Sequence, residues 1–189
     1  VTIDGETHAL GSRFMVVATQ NPIEQQGVYP LPEAQLDRFL FKLLIEYPDA
    51  EEEKKIVSQY GERVGAPVPK DFDIAQQADD ATLAAAAEVV KSVKLVDEVV
   101  DYVVRLIRAT RETADLENGA SPRAAIMLAH AARARAAIAG RDYVIPDDVK
   151  ALAPSVLRHR TMLSPAAEIE GRQVDGIIAG LVELTEAPR

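Results

Sequence analysis

Two nearly continuous apolar runs, Phe14-Met15-Val16-Val17-Ala18-Thr19 and Phe39-Leu40-Phe41-Lys42-Leu43-Leu44-Ile45, both fall in the first 47 residues of this chain. Beyond Pro48 the apolar residues recur at helical spacing instead. Short runs of this kind, bounded by turn residues, read as strands buried on both faces inside a parallel sheet. The first run stops at Gln20-Asn21-Pro22, where the proline drives its predecessor out of the α region and turns the chain. Residues 22–32 are rich in Pro and Gly and read as a loop, and residues 33–38 as a short helix. Ahead of them, Asp4-Gly5 between two β-prone stretches is a hairpin signal.

The remainder reads as helices. Asp49 with Glu52 forms a capping box at the head of a helix that fades at Tyr60-Gly61. Pro67 and Pro69 interrupt the chain. A helix over about 80–91 follows, and another starts near Asp97, with Val100, Val103, Val104 and Ile107 as its core-facing stripe. Asn118-Gly119 closes that region. Ser121-Pro122 sets an N-cap and a proline at the first helical position, and an Ala-rich helix then runs to a C-cap at Gly140. Pro146 opens a further helix that Pro154 kinks or interrupts. Strand, loop, short helix, strand, then helices alone is the order expected of an α/β remnant followed by an all-α domain, helical for the most part. We place the divisions at 1–47, 48–95 and 96–189.

Charge and residue usage narrow the function. A formal net charge of -9 is the wrong sign for general nucleic-acid binding. The chain has no cysteine, so neither a disulfide framework nor a zinc–thiolate site is available. His8, His130 and His159 show no metal-ligand spacing and read as solvated or internally satisfied residues. No apolar stretch approaches the roughly 20 residues that span a bilayer, and the N-terminus has no signal-peptide pattern. The expectation is a cytoplasmic protein away from the membrane. Val1-Thr2-Ile3, without an initiator Met, reads as an internal start.

Three residues stand out chemically. Asn21 lies just past a strand's C-terminal end, where open α/β sheets bind ligands, and its amide can orient a water or meet a phosphate oxygen; the plainer reading of Asn before Pro is turn chemistry. Arg38 lies between the short helix and the second strand, as a surface ion pair with Asp37 or Glu33 or as an arginine that stabilises phosphoryl-transfer charge in another subunit. Arg123 sits in the first turn of its helix, where the dipole disfavours a cation unless an anion is bound; the alternative is a pair with Glu117. Arg133 and Arg135 read as solvated residues near a helix C-terminus, and Arg158-His159-Arg160 as a solvated basic patch. No GxxxxGK[ST] loop occurs, and no apolar run ends in Asp-Glu to hold Mg²⁺.

Val17-Ala18-Thr19-Gln20-Asn21-Pro22-Ile23-Glu24 and Gly27-Val28-Tyr29-Pro30-Leu31-Pro32-Glu33-Ala34-Gln35-Leu36-Asp37-Arg38-Phe39 closely resemble MoxR-family AAA+ ATPases. So do Gly119-Ala120-Ser121-Pro122-Arg123-Ala124 and, in the family's lid, Gly140-Arg141-Asp142-Tyr143-Val144 with Pro146-Asp147-Asp148-Val149. The resemblance implies a core remnant over 1–47, a connecting helical region over 48–95 and a helical lid over 96–189. It implies that Asn21 is sensor 1 and helps place the attacking water. It puts Arg38 at the arginine finger, acting on a neighbouring subunit's ATP, and Arg123 at sensor 2 in the lid, in cis or in trans. ATP and Mg²⁺ are the implied ligands, with the Mg²⁺ ligands outside this chain. The implied partners are further copies in a homo-oligomeric ring, a hexamer first of all, and a protein with a von Willebrand factor A domain. The implied role is chaperone-like remodelling or maturation of partner proteins. Walker A and Walker B of the family precede the residues present here, so the chain by itself is expected to be inactive and, with an exposed sheet edge, to self-associate. Two other readings are a noncatalytic helical interaction module and a DNA-acting AAA+ relative, the latter disfavoured by the charge and by the lack of an aromatic-basic stripe.

Overall fold

Asp4 and Gly5 both take positive φ, 52° and 84°, as the two central residues of a tight hairpin turn require. They join β1 (Thr2–Ile3) to β2 (Glu6–Thr7), paired antiparallel with Thr2 opposite Thr7. The structure is a computed structural model and describes residues 1–11, 14–20, 31–62, 65, 72 and 78–188. It divides into two compact units, Val1–Pro32 and Glu33–Arg189.

In the first unit the hairpin is the only regular structure among the described residues. The run over 14–19 forms no strand, and Met15 is 84% exposed. In the second unit the run over 39–45 is likewise unpaired, with Ile45 95% exposed. Both depart from the buried strands expected from composition. A parallel strand is stabilised by neighbours on both sides, and the described residues supply neither run with a pairing partner.

The second unit is helical. After the one-turn α1 (Glu33–Leu36) come α2 (Ala50–Tyr60), α3 (Asp80–Ser92), α4 (Asp97–Glu112), α5 (Pro122–Ile138), α6 (Pro146–Leu157), α7 (Pro165–Ile169) and α8 (Val174–Leu184). Asp49 caps α2 by accepting from the N–H groups of Glu51 and Glu52 at 3.0 and 2.8 Å, and the helix ends at Gly61. Asp79 does the same for α3 through Thr82 N–H. Gly140, with φ of 72°, ends α5, its N–H and that of Arg141 bonding back to Ala137 and Ala136; this is the left-handed stop expected of a glycine there. Pro154 does not interrupt α6, which continues to Leu157. The helix runs on past the missing donor to Val156 and Leu157, which are fully buried.

The core lies where α4, α5, α6 and α8 meet. Tyr102, Leu106, Leu128, Val149, Leu157 and Ile178 are wholly buried there, and each large side chain contributes about 1.5–3 kcal/mol of burial. The stripe that α4 buries is Val99, Tyr102, Val103, Leu106, Ile107 and Thr110. Val100 and Val104, expected in the core, face outward and are partly exposed. The α5 face is built of small residues: Ala124, Ala132 and Ala136 are 0% exposed, as is Ala153 opposite on α6. A second, smaller cluster joins Leu116, Ala167 and Ile177. It lies under the short antiparallel pair β3 (Leu116–Asn118) and β4 (Met162–Leu163).

Two polar contacts fix the entry to α5. The Thr110 hydroxyl donates to Ile107 O and accepts from Ala120 N–H, at 2.7 and 2.9 Å. Gly119 lies so close to α4 that a Cβ would sit 2.5 Å from Thr110 O and 2.7 Å from Arg111 Cα. We therefore expect Gly119→Ala to destabilise the protein by about 1–3 kcal/mol, the usual cost of overpacking, read as a lower urea midpoint at unchanged slope.

Candidate functional site

The turn after α1 separates two adjacent side chains. Asp37 N–H bonds to Glu33 O at 2.8 Å, Arg38 N–H to Gln35 O at 3.2 Å and Phe39 N–H to Leu36 O at 3.0 Å. This curl directs the Asp37 carboxylate inward, while Arg38 is exposed. Among the described residues the Arg38 guanidinium has no hydrogen-bond or ion-pair partner, so its five donors are committed to none of them. The pairing of Arg38 with Asp37 or Glu33, one of its two readings, does not form.

Asp37 is held by Arg160. The Arg160 side chain is 1% exposed, and its Nε donates to Asp37 Oδ1 at 2.9 Å. Its Nη2 donates to Asp37 O at 3.0 Å, to Phe39 O and to Met127 Sδ, and its Nη1 to Leu40 O at 3.2 Å and to Val156 O. All five N–H groups of a buried guanidinium thus meet an acceptor, which is the condition for burying such a charge. The two residues before it join the same contact. His159 Nε2 lies 2.9 Å from Phe39 O. Arg158 donates from Nη1 to Lys42 O at 3.0 Å and makes a two-point ion pair with Asp175 of α8, at 3.0 and 2.9 Å. Lys42 N–H bonds to Ser155 O at 2.9 Å. The triplet expected to be a solvated basic patch is therefore the clamp on residues 37–42. No local spacing signals this, because the acceptors are mostly main-chain carbonyls far away in sequence.

Arg123 approaches the same carboxylate from the start of α5, with Nε 3.9 Å from Asp37 Oδ2 and 52% of its side chain exposed. Its partner is thus Asp37 rather than Glu117. Ser121 occupies the N-cap position of α5 but makes no capping hydrogen bond with its side chain. Its hydroxyl lies 3.4 and 3.5 Å from the two Asp37 oxygens instead. The anion that the N-terminal cation called for is, in this structure, the Asp37 carboxylate, favoured there by the helix dipole as well.

The other ionic cluster is structural. Asp148, 2% exposed, accepts from Arg141 at 2.8 and 2.6 Å and from Ile145 N–H at 3.0 Å, with Arg135 Nε at 3.4 Å. Burial pushes the Asp148 carboxyl up, but Arg141 and the Ile145 N–H outweigh it and leave it below the usual carboxylate value. Arg133 donates to Val93 O at 3.0 Å and to Lys91 O, tying α5 to the end of α3. Neither arginine is the simply solvated residue expected. Asn21 lies outside the described residues. Among the described residues no group of His, Asp or Glu has the arrangement of a metal site, and no helix is long and apolar enough to cross a membrane.

His159 gives the clamp a pH dependence. Burial lowers its pKa from 6.5, Arg160 and Lys42 lower it further, and the Phe39 carbonyl and Asp37 oppose the shift without cancelling it. The neutral imidazole then donates from Nε2 to Phe39 O. A group whose folded pKa is depressed binds fewer protons when folded, so stability falls as pH drops below 6.5 toward the folded pKa. Urea titrations from pH 7.5 to 5 are expected to show this loss, and His159→Gln to flatten it; an unchanged slope in the variant would assign the dependence elsewhere.

Comparison with known proteins places these residues in a family. Residues 1–41 match the family model "ATPase family associated with various cellular activities (AAA)", and residues 108–180 match the AAA lid domain. An uncharacterized protein of Bacillus subtilis, YeaC, is 42% identical over all of this chain and 57% of its own length. A Mycobacterium tuberculosis protein named chaperone MoxR1 is 45% identical over 87% of this chain and 44% of its own length. A crystal structure from Cytophaga hutchinsonii, of a protein proposed to be an ATPase, superposes with a TM-score of 0.85 at 33% identity, covering 100% of this chain and 58% of that one. The chain spans about half the length of the curated relatives it matches.

Proposed function

The chain belongs to the MoxR family of AAA ATPases, and from that premise we propose that it supplies the nucleotide-sensing and lid elements of a ring-forming, ATP-hydrolysing protein. Residues 1–47 end the ATPase core, 48–95 connect it, and 96–189 form the lid. Coupled to hydrolysis, the ring remodels or matures partner proteins in the cytoplasm, in the manner of a chaperone. A hexamer is the expected assembly and a von Willebrand factor A domain protein the expected partner.

The observation that carries this reading is the contrast between the two arginines beside Asp37 and the one beneath it. Arg160 has no donor to spare, whereas Arg38 is exposed and unengaged among the described residues and Arg123 holds Asp37 only at 3.9 Å. Among the described residues around Asp37, Arg38 and Arg123 are free to meet a phosphate. In phosphoryl transfer the protein acts mainly by positioning and by stabilising charge on the transferred group. Arg38 presents its guanidinium to ATP bound by the next subunit. Arg123 exchanges Asp37 for the γ-phosphate, which a helix N-terminus and a guanidinium both favour. Asn21 orients the attacking water. Mg²⁺ would neutralise charge on the phosphates, and among the described residues no group of His, Asp or Glu has the arrangement to hold it. With no phosphate-binding loop among its 189 residues, the chain by itself is inactive.

The test is subunit mixing in the full-length protein. Arg38→Ala and a variant without the ATP-binding lysine are each expected to lose about 10³-fold or more of the ATPase rate. Co-assembled rings are expected to regain activity where an intact finger meets an intact ATP site. Normal activity of Arg38→Ala alone, or no recovery in verified mixed rings, removes Arg38 from the mechanism.

A further inference from the structure

We propose that Arg160 is a positioning residue for Arg38: a lid-borne guanidinium grips the main chain on both sides of the finger and thereby sets where Arg38 points across the subunit interface. The inference rests on the reading of Arg38 as an arginine finger.

The geometry is one-sided in a telling way. Arg160 follows α6, yet four of its acceptors lie on residues 37–40: the Asp37 carboxylate, Asp37 O, Phe39 O and Leu40 O. The carbonyls of Asp37 and Phe39 directly flank Arg38. His159 and Arg158 extend the grip to Phe39 O and Lys42 O, and Ser155 O receives Lys42 N–H. The grip is itself anchored, since Arg158 is fixed to Asp175 on α8 and Arg160 also bonds to Val156 O of α6. The turn after α1 holds the N–H groups of residues 37–39, but residues 37–42 belong to no helix or strand and Leu43, Leu44 and Ile45 beyond them are exposed. The carbonyls on both sides of Arg38 are thus held by side chains of the lid.

The clamp is also insulated from the nucleotide. Asp37 is bound to Arg160 at 2.9 Å but to Arg123 only at 3.9 Å. A phosphate can draw Arg123 away and leave the Asp37–Arg160 bond in place. Arg160, with every donor used and its side chain 1% exposed, does not reach ligand itself. Its effect on hydrolysis passes through Arg38, and so falls on the neighbour's ATP site rather than on its own.

That directionality is what the experiment reads. Arg160→Lys keeps the charge but has three donors on a point-like head in place of a planar fork, so it cannot hold three carbonyls and a carboxylate together. In the full-length protein the expected result is a kcat lower by about 10²-fold, the effect of a displacement near 1 Å at a catalytic group, with KM for ATP unchanged. Mixing Arg160→Lys subunits with subunits lacking the ATP-binding lysine is expected to restore activity, because the Arg160→Lys subunit keeps a working ATP site and receives an intact finger. Unchanged kcat, or a loss that mixing does not restore, overturns the inference. Asp37→Asn, which keeps the shape and one oxygen acceptor, serves if Arg160→Lys does not assemble: a kcat loss restored by mixing supports the clamp, and an unchanged kcat or an unrestored loss refutes it. Arg38→Ala is mixed in parallel. If it complements and the clamp variants do not, the clamp alone is wrong; if Arg38→Ala is itself active, the finger reading has failed.

Discussion

The buried guanidinium of Arg160 is the contact on which the arrangement of the candidate site depends. An unpaired charge cannot remain in a protein interior, because the lost hydration far exceeds what packing returns. Arg160 is 1% exposed and stays there because residues 37–40, as much as 123 positions earlier in the chain, bring it a carboxylate and three carbonyls. The dependence is mutual, since among the described residues those carbonyls have no strand or helix partners of their own. The segment after α1 and the end of α6 therefore dock together or not at all.

Around Asp37 the chain sorts its arginines by how many donors remain free. Arg160 has none, Arg123 holds a distant ion pair while half exposed, and Arg38 is unengaged among the described residues. Exposure and partner count distinguish a structural cation from one available to an anionic ligand more sharply than sequence position does, because all three arginines sit beside the same carboxylate or its main chain. The same distinction sets the Asp148 cluster apart. Its carboxylate is saturated by Arg141, Arg135 and Ile145 N–H, so it fixes the start of α6 and has little left to offer a ligand.

What the sequence discloses is mostly local. The Asp4-Gly5 turn, the proline at the head of α5 and the stop at Gly140 are each set by residues within a few positions and found as read, and Asp49 caps α2 without the return bond from Glu52 that a capping box has. The phase of α4 is harder, because Val99-Val100 and Val103-Val104 are adjacent apolar pairs and either member fits a helical stripe. Packing on α5 and α8 selects Val99, Tyr102 and Leu106. The runs over 14–19 and 39–45 have strand composition, but composition does not supply a pairing partner. The Arg158-His159-Arg160 triplet looks like a surface patch, since its partners are chiefly carbonyl oxygens, which leave no mark in residue identity. Family resemblance brought out Asn21, Arg38 and Arg123, whose own spacing leaves bland readings open; Asn21 falls outside the described residues.

The alanine face of α5 bears on how such a lid can move. A methyl side chain has no rotamer to change, so where Ala124, Ala132 and Ala136 fill the core and Ala153 lines α6, the packing has few alternative arrangements to relax into. A push at one end is not absorbed by side chains turning over. α5 and α6 therefore keep a fixed spacing between Arg123 at the start of one and the Arg160 clamp just past the end of the other, while the half-exposed Arg123 side chain can turn toward an anion without shifting either helix.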